Sequence, residues 1–405
     1  MARATEIGIV YATGLAQGLA LVSFPAAATI LTAPEGYALS SSQYGSIFLP
    51  LFVGSVLASL LAPALARQWS LKTVLLIGLV ANGASMGTFA ASSAMTGTPG
   101  LPYALLLAAT GLLGLGFGAT LTAINAFATG FFPGRSETAV TALHTLLGTG
   151  TALAPLLVAV LSGGRWWWLP VGVGVASGIL FLLALAHRLK MPGGNEPSSS
   201  LGMAEVARAL PGRFWIWFGF ALMYGVCETL FGNWGTVYLD QQRGLPPATA
   251  NLALAAFWAA VTAGRLLVAV VSIRIPPAVI FRLLPILIVA ALVWVSVTSD
   301  ATLGVLAFAF AGLACSGCLP LSIGTASSET PRFLETISGW MVAAYMMGYG
   351  IGAFAVGPLR QVGDLPLSTV YLGATGIAAA MVVLALVLAH RPRQAPLAAT
   401  GEPPS

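Results

Sequence analysis

Glu228 lies at the centre of an apolar stretch, Phe214 to Leu239 (FWIWFGFALMYGVCETLFGNWGTVYL), about as far from Arg213 at one end as from Asp240 at the other. About 20 apolar residues, each rising about 1.5 Å, span the roughly 30 Å of hydrocarbon in a bilayer, so the stretch reads as a membrane-crossing helix. A carboxylate at that depth costs about 2.5 kcal/mol or more unless it faces a cavity or a partner inside a bundle. Glu228 is therefore read as a functional group that could load and release a proton. The plainer alternative is a hydrogen-bonding residue that holds a nearby Tyr or Asn. Tyr224, Cys227, Phe231, Trp234 and Tyr238 recur around it at helical spacing, so one helix face joins aromatic surface to one acid. Such a face suits an uncharged polyhydroxylated or amphipathic solute better than a strongly anionic one.

Two further places carry polar chemistry inside apolar runs. His144 and Asn125 lie at similar depth on consecutive runs joined by a short loop. A histidine beside an amide could gate, relay a proton or bind a solute hydroxyl, or it could only pack the bundle through an interhelical hydrogen bond. Arg265 sits about two turns from one end of its run, where its long side chain can snorkel to the interface. The sharper reading of Arg265 is contact with an anionic solute or with Glu228. Cys315-Ser316-Gly317-Cys318 has the CxxC spacing of redox and zinc motifs, but it stands in an apolar run without further ligands and reads as close helix packing. Gly111, Gly114, Gly116 and Gly118 read as a helix-contact face, since no strand precedes them. No phosphate loop, catalytic triad or metal cluster is present, so no cofactor, metal or enzymatic activity is expected.

The elements that must position these residues follow from composition. Of 405 residues, 58% are hydrophobic and 7% charged, which excludes a soluble globular domain and a disordered chain and indicates a polytopic all-α membrane protein. The net charge of +5 would suggest nucleic acid in a soluble protein; here the basic residues separate apolar runs and report topology. Twelve candidate helices are expected, at about 7–32, 43–66, 73–95, 102–131, 137–162, 166–189, 213–239, 247–272, 277–298, 301–326, 333–358 and 367–390. The long polar segment 190–212, with PGGNEPSSS, divides them into an N-terminal half (1–189) and a C-terminal half (213–391), followed by a tail at 392–405. Lys and Arg concentrate on one side (Arg67, Lys72, Arg135, Arg188, Lys190, Arg208, Arg213, Arg274), leaving Arg165, Arg243 and Arg360 on the other. Both termini are thus expected in the cytoplasm of a cell with this protein in its plasma membrane, a bacterial inner membrane. Trp166, Trp167 and Trp168 are expected in the outer aromatic belt. The first run is read as an uncleaved helix, being too long for a signal sequence.

The halves also echo each other. Gln17-Gly18 and Arg67 correspond at one constant offset to Tyr224-Gly225 and Arg274, and Glu137-Thr138 to Glu335-Thr336 at a similar one. Glu137 and Glu335 each open a helix after a basic loop (Pro133, Gly134, Arg135; Pro331, Arg332). Two similar six-helix halves are the plan of an alternating-access carrier with its site between them near mid-membrane. With these features, the stretches YGVCETLFGNWGTVYL (224–239), FWAAVTAGR (257–265) and ALHTLLGTGTALAPLL (142–157) resemble the major facilitator superfamily, and within it the fucose:proton symporter-like group of sugar permeases. The loop 65–72 departs from the superfamily pattern by having Ala66 and Trp69 where Asp and Gly are usual. The first helix offers Thr13, Gln17 and Ser23 but not the acid typical of that group, which leaves Glu228 as the main candidate for proton coupling.

The resemblance implies a secondary transporter of a small organic solute, a sugar or polyol, bound between Gln17, Asn125 and His144 on one side and Tyr224, Glu228, Asn233 and Trp234 on the other. Glu228 and His144 are the proton-coupling candidates and Arg265 a structural or gating charge. Three alternatives stay open: efflux of amphipathic drugs or metabolites, organic-anion exchange if Arg265 faces the cavity, and a non-transporting sensor on the same fold.

Overall fold

The computed structural model describes residues 4–132, 135–161, 164–190, 208–329 and 334–389. Among these the regular structure is helical, and twelve helices are long and apolar enough to cross a membrane. They are α1 (Ala4–Thr32), α2 (Ser41–Gln68), α3 (Leu71–Met95), α4 (Leu101–Phe131), α5 (Thr138–Val160), α6 (Trp168–Ala186), α7 (Gly212–Gln242), α8 (Pro247–Val271), α9 (Pro277–Val297), α10 (Ala301–Glu329), α11 (Gly339–Gln361) and α12 (Leu367–Leu388). Each falls on an expected run. Most of the segment 190–212, all of the tail 392–405, and Pro133, Gly134, Pro331 and Arg332 of the basic loops lie outside the described residues.

Some helices are interrupted. The first half of α10 ends at Cys315 and the second starts at Cys318, so the CxxC straddles a break. Pro320 accounts for it, because its ring crowds the carbonyl four residues back, at Ser316, and its nitrogen has no hydrogen to donate. The three cysteines are free and buried. The last turn of α7, Tyr238–Gln242, widens into a π turn. Ser40 and Gln43 form a reciprocal capping box that starts α2.

Packing repeats between the halves. Helix α1 packs on α5 as α7 packs on α11, α2 on α4 as α8 on α10, and α3 on α6 as α9 on α12. Across the halves α5 meets α8, and α11 meets α2. The glycines give the reason at residue level. A methyl group on Gly18 would overlap the Leu147 carbonyl, and one on Gly150 the Leu15 carbonyl; in the second half Gly225 stands against the Tyr345 carbonyl and Gly348 against that of Leu222. The offset that carries Gly18 to Gly225 also carries Leu15 to Leu222, and the second offset carries Leu147 and Gly150 to Tyr345 and Gly348. The weak internal repeat is thus a repeated helix crossing that only glycine permits. Gly114, from the α4 glycine run, likewise sits on the Leu51 carbonyl of α2, and Gly312 on the Phe257 carbonyl of α8.

Outward side chains such as Val175, Leu182, Leu267 and Val383 are exposed and apolar, as a lipid-facing surface requires. The tryptophan run divides: Trp168 is exposed, whereas Trp166 is buried against Phe89 and Tyr37 and serves packing rather than anchoring.

Hydrogen bonds between the halves collect at one end of the bundle. Tyr44 donates to the main-chain carbonyl of Asn233 (2.8 Å), Thr236 to that of Pro25 (3.2 Å), Gln241 Nε2 to Thr32 Oγ1 (2.8 Å) and Arg360 Nη1 to Ser41 Oγ (2.9 Å). The Ser42 amide donates to Gln361 Oε1 at 3.3 Å. All of these lie at the end that carries the connections 33–40 and 243–246, so the bundle is closed there. At the opposite end Arg213 pairs with Glu329 at 2.9 Å, and Trp217 donates to the same carboxylate at 3.0 Å, a tie within the C-terminal half alone.

Candidate functional site

On α7, Tyr224, Glu228 and Gly232 follow at four-residue intervals and share one face. On α11, Tyr345 and Tyr349 do the same, and the Gly225 and Gly348 crossing brings the two faces together. Glu228, 1% exposed, accepts the Tyr224 hydroxyl at Oε1 (2.7 Å) and the Tyr345 hydroxyl at Oε2 (2.5 Å). Both carboxylate oxygens are therefore held, one from each helix, which compensates the burial of the acid. The Tyr224 oxygen lies also 2.9 Å from the main-chain carbonyl of Cys315, at the break in α10. One step further along, Tyr349 donates to Asn233 Oδ1 at 2.9 Å.

Across the bundle, His144 Nε2 donates to Asn125 Oδ1 at 3.0 Å, while Asn125 Nδ2 donates to the Leu121 carbonyl of its own helix. The amide orientation fixes the imidazole as a donor at Nε2. The expected pairing of these two residues is present, and both are partly exposed although they sit inside the bundle. Tyr345, Tyr349 and Arg265 share that partial exposure, so an accessible space separates the two walls.

Arg265 does not snorkel. Its Nε is shut off from solvent and has no hydrogen-bond partner, and its charge acts on Glu228, His144 and Tyr345. Periodicity explains this direction. Gly264 faces α10, where a methyl group would meet Ser316, and Thr262 faces α5, where it meets Gly148. Arg265 falls on the arc between those contacts, together with Val261 and Trp258.

The remaining sequence candidates sit elsewhere. Gln17 is buried within the N-terminal half, where its Oε1 accepts Asn82 Nδ2 at 2.7 Å; the same amide lies 3.3 Å from Thr120. The structure thus pairs Gln17 with α3 and not with Asn125 and His144. Trp234 is fully buried in the closed end, edge-on to Tyr44, with its Nε1 donating to the Ala353 carbonyl at 3.0 Å. Asn233 joins the site through Tyr349 and the closure through Tyr44. Tyr345, Tyr349, Trp258 and Asn82 are not among the residues that the sequence singles out. The four-residue spacing of the two tyrosines in the middle of a span was the signal for the first pair, and Asn82 stands equally deep in its own run.

The repeat also locates an asymmetry. Under the offset that relates Gly18 to Gly225, the counterpart of Glu228 is Leu21, and under the one that relates Gly150 to Gly348, the counterpart of Tyr349 is Thr151. The acid and its tyrosines belong to the C-terminal half alone.

Residues 9–338 match the model of the Major Facilitator Superfamily. The glucose/mannose transporter GlcP of Bacillus subtilis (strain 168) is 22% identical over 338 residues, which cover 80% of this chain and 80% of the relative. Among solved structures, the nucleoside transporter NupG superposes with a TM-score of 0.76 at 15% identity, covering 95% of this chain and 99% of its own. FucP in the outward conformation superposes with a TM-score of 0.66 at 17% identity, covering 96% and 100%. At these identities the structural likeness is one of fold.

Proposed function

The chain belongs to the major facilitator superfamily, and from that premise we propose that it carries a small hydroxylated solute, a sugar or polyol, together with protons taken up and released at Glu228. It is a multi-pass membrane protein and a secondary transporter of small solutes, not an enzyme. Its halves, 1–189 and 213–391, would rock about the α2·α11 and α5·α8 contacts to expose the site to each side in turn, with both termini in the cytoplasm and the protein in the plasma membrane.

The observation that carries the coupling is the position of the Tyr224 hydroxyl between Glu228 (2.7 Å) and the Cys315 carbonyl (2.9 Å). A phenol has one proton to give and two acceptors here. When Glu228 is ionised, Tyr224 donates to it. When Glu228 is protonated, its own O–H donates to the Tyr224 oxygen, and the phenol proton turns to Cys315. Both protonation states are thereby hydrogen-bonded, which a buried acid needs if it is to cycle between them. Binding of hydroxylated solutes is supported by the partly exposed wall of Asn125, His144, Tyr345 and Tyr349, which offers donors and acceptors beside aromatic faces. The relatives named above carry glucose or mannose in one case and nucleosides in another, and these too are rich in hydroxyls.

The experiment is solute counterflow in proteoliposomes with a panel of sugars, polyols and lipophilic cations. Exchange of a sugar or polyol supports the reading. Exchange of lipophilic compounds alone would replace it with efflux, and binding without any exchange would replace it with a sensor.

A further inference from the structure

Arg265 is a cation inside the bundle without a contact ion pair. Among the described residues the one ion pair is Arg213 with Glu329, far from it at the end of the bundle. Glu228, the acid within its electrostatic reach, has both oxygens taken by Tyr224 and Tyr345. A guanidinium inside the bundle, whose Nε–H is buried and has no hydrogen-bond partner, is set to gain from an incoming carboxylate that matches its fork.

A second donor on the same face points to the same ligand. Trp258 is 6% exposed, and its Nε1 is buried without a partner. It precedes Arg265 by two helical turns, about 10 Å along α8. Gly232 lets the Trp258 ring and the Tyr349 hydroxyl close on α7 side by side: a methyl group there would come within 3.1 Å of each. This face thus carries a cation at one level and, about two turns along, an indole N–H without a partner beside a phenol. That spacing fits a sugar-sized molecule with a carboxylate at one end and hydroxyls at the other.

We propose that the solute is a sugar acid whose carboxylate pairs with Arg265 and whose hydroxyls meet Trp258 and Tyr349. This rests on the transporter reading above and narrows its substrate class. It also gives a reason for coupling. The groups that face Glu228 are Tyr224 on its own helix, Tyr345 and Tyr349 on α11, Cys315 and Cys318 on α10 and Arg265 on α8, with His144 on α5 beyond Arg265. Ionised Glu228 balances Arg265 in the empty carrier; a proton on Glu228 and an anion on Arg265 balance again in the loaded one. A carrier loaded with only one of the two keeps a net charge at mid-membrane and is disfavoured.

The test is calorimetric binding of D-glucuronate and D-glucose, which differ by one carboxylate, to the purified full-length protein. Wild type is expected to bind glucuronate at least about tenfold more tightly, a difference of about 1.4 kcal/mol. Arg265→Gln should lower the glucuronate-to-glucose affinity ratio about tenfold, and Arg265→Lys, which keeps the charge without the fork, should retain part of it. Trp258→Phe should weaken both ligands. If Arg265→Gln does not give a monodisperse protein, the wild-type ratio and the Lys variant decide. Glucose bound as tightly as glucuronate, or a ratio unchanged in the Arg265 variants, overturns this inference and leaves the transporter of neutral sugars standing. Binding of neither ligand overturns this inference, and the counterflow panel then decides the transporter reading on its own.

Discussion

Tyr44 on α2 donates its hydroxyl proton to the main-chain carbonyl of Asn233 on α7, 2.8 Å away, and so ties the N-terminal half to the helix that carries Glu228. The same phenol stands edge-on to Trp234. Loss of the hydroxyl in Tyr44→Phe removes a bond worth about 1 kcal/mol, which shifts an open–closed equilibrium roughly fivefold. A cysteine at Ala353, buried in this closure, in a background lacking Cys227, Cys315 and Cys318, should then react about fivefold faster with an impermeant maleimide applied to that end.

Tyr345 reaches Glu228 from a different helix, so Tyr345→Phe tests whether α11 holds the acid. A hydrogen bond to a charged group contributes roughly 1.5–3 kcal/mol, and unfolding of the variant in detergent should show a loss of that size. Tyr224→Phe should cost at least as much and slow transport more, because the same hydroxyl also serves the Cys315 carbonyl.

The repeated crossings are tested at glycine. Gly225→Ala places a methyl group on the Tyr345 carbonyl and should destabilise the protein by about 1–3 kcal/mol. Gly219 on the same helix has nothing within 4 Å of an added methyl group, so Gly219→Ala should be neutral or stabilising by up to about 1 kcal/mol. Thermal unfolding of the two variants side by side reads the difference.

Pairing of one proton with one carboxylate predicts electroneutral transport of a sugar acid. Uptake of D-glucuronate into proteoliposomes should be driven by an inside-alkaline pH gradient and unmoved by a potassium diffusion potential. A rate that follows the potential would show that the loaded carrier bears net charge.

The helices were legible because bilayer thickness sets a minimum apolar length, which leaves little freedom in where each of the twelve spans falls. Glu228 was legible for a related reason, since a mid-span acid needs partners. His144 and Asn125 could be paired because a short loop fixes their relative depth. Periodicity gives the residues that share a face but not the neighbour that face meets. Periodicity therefore leads Gln17 to the cavity, whereas its partner is Asn82, and Trp234 to Glu228, whereas it closes the end of the bundle. Arg265 shows the same limit, because its distance from the helix end permits snorkelling and only the contacts of Gly264 and Thr262 turn it inward.

Proton coupling through Glu228 is measured most directly by gradient-driven accumulation in proteoliposomes holding equal amounts of wild type or Glu228→Gln, with a solute that wild type exchanges in counterflow. Wild type should concentrate the solute when the interior is alkaline, and Glu228→Gln should not, although it still exchanges solute down its gradient. Undiminished gradient-driven accumulation by Glu228→Gln would remove Glu228 from the coupling role.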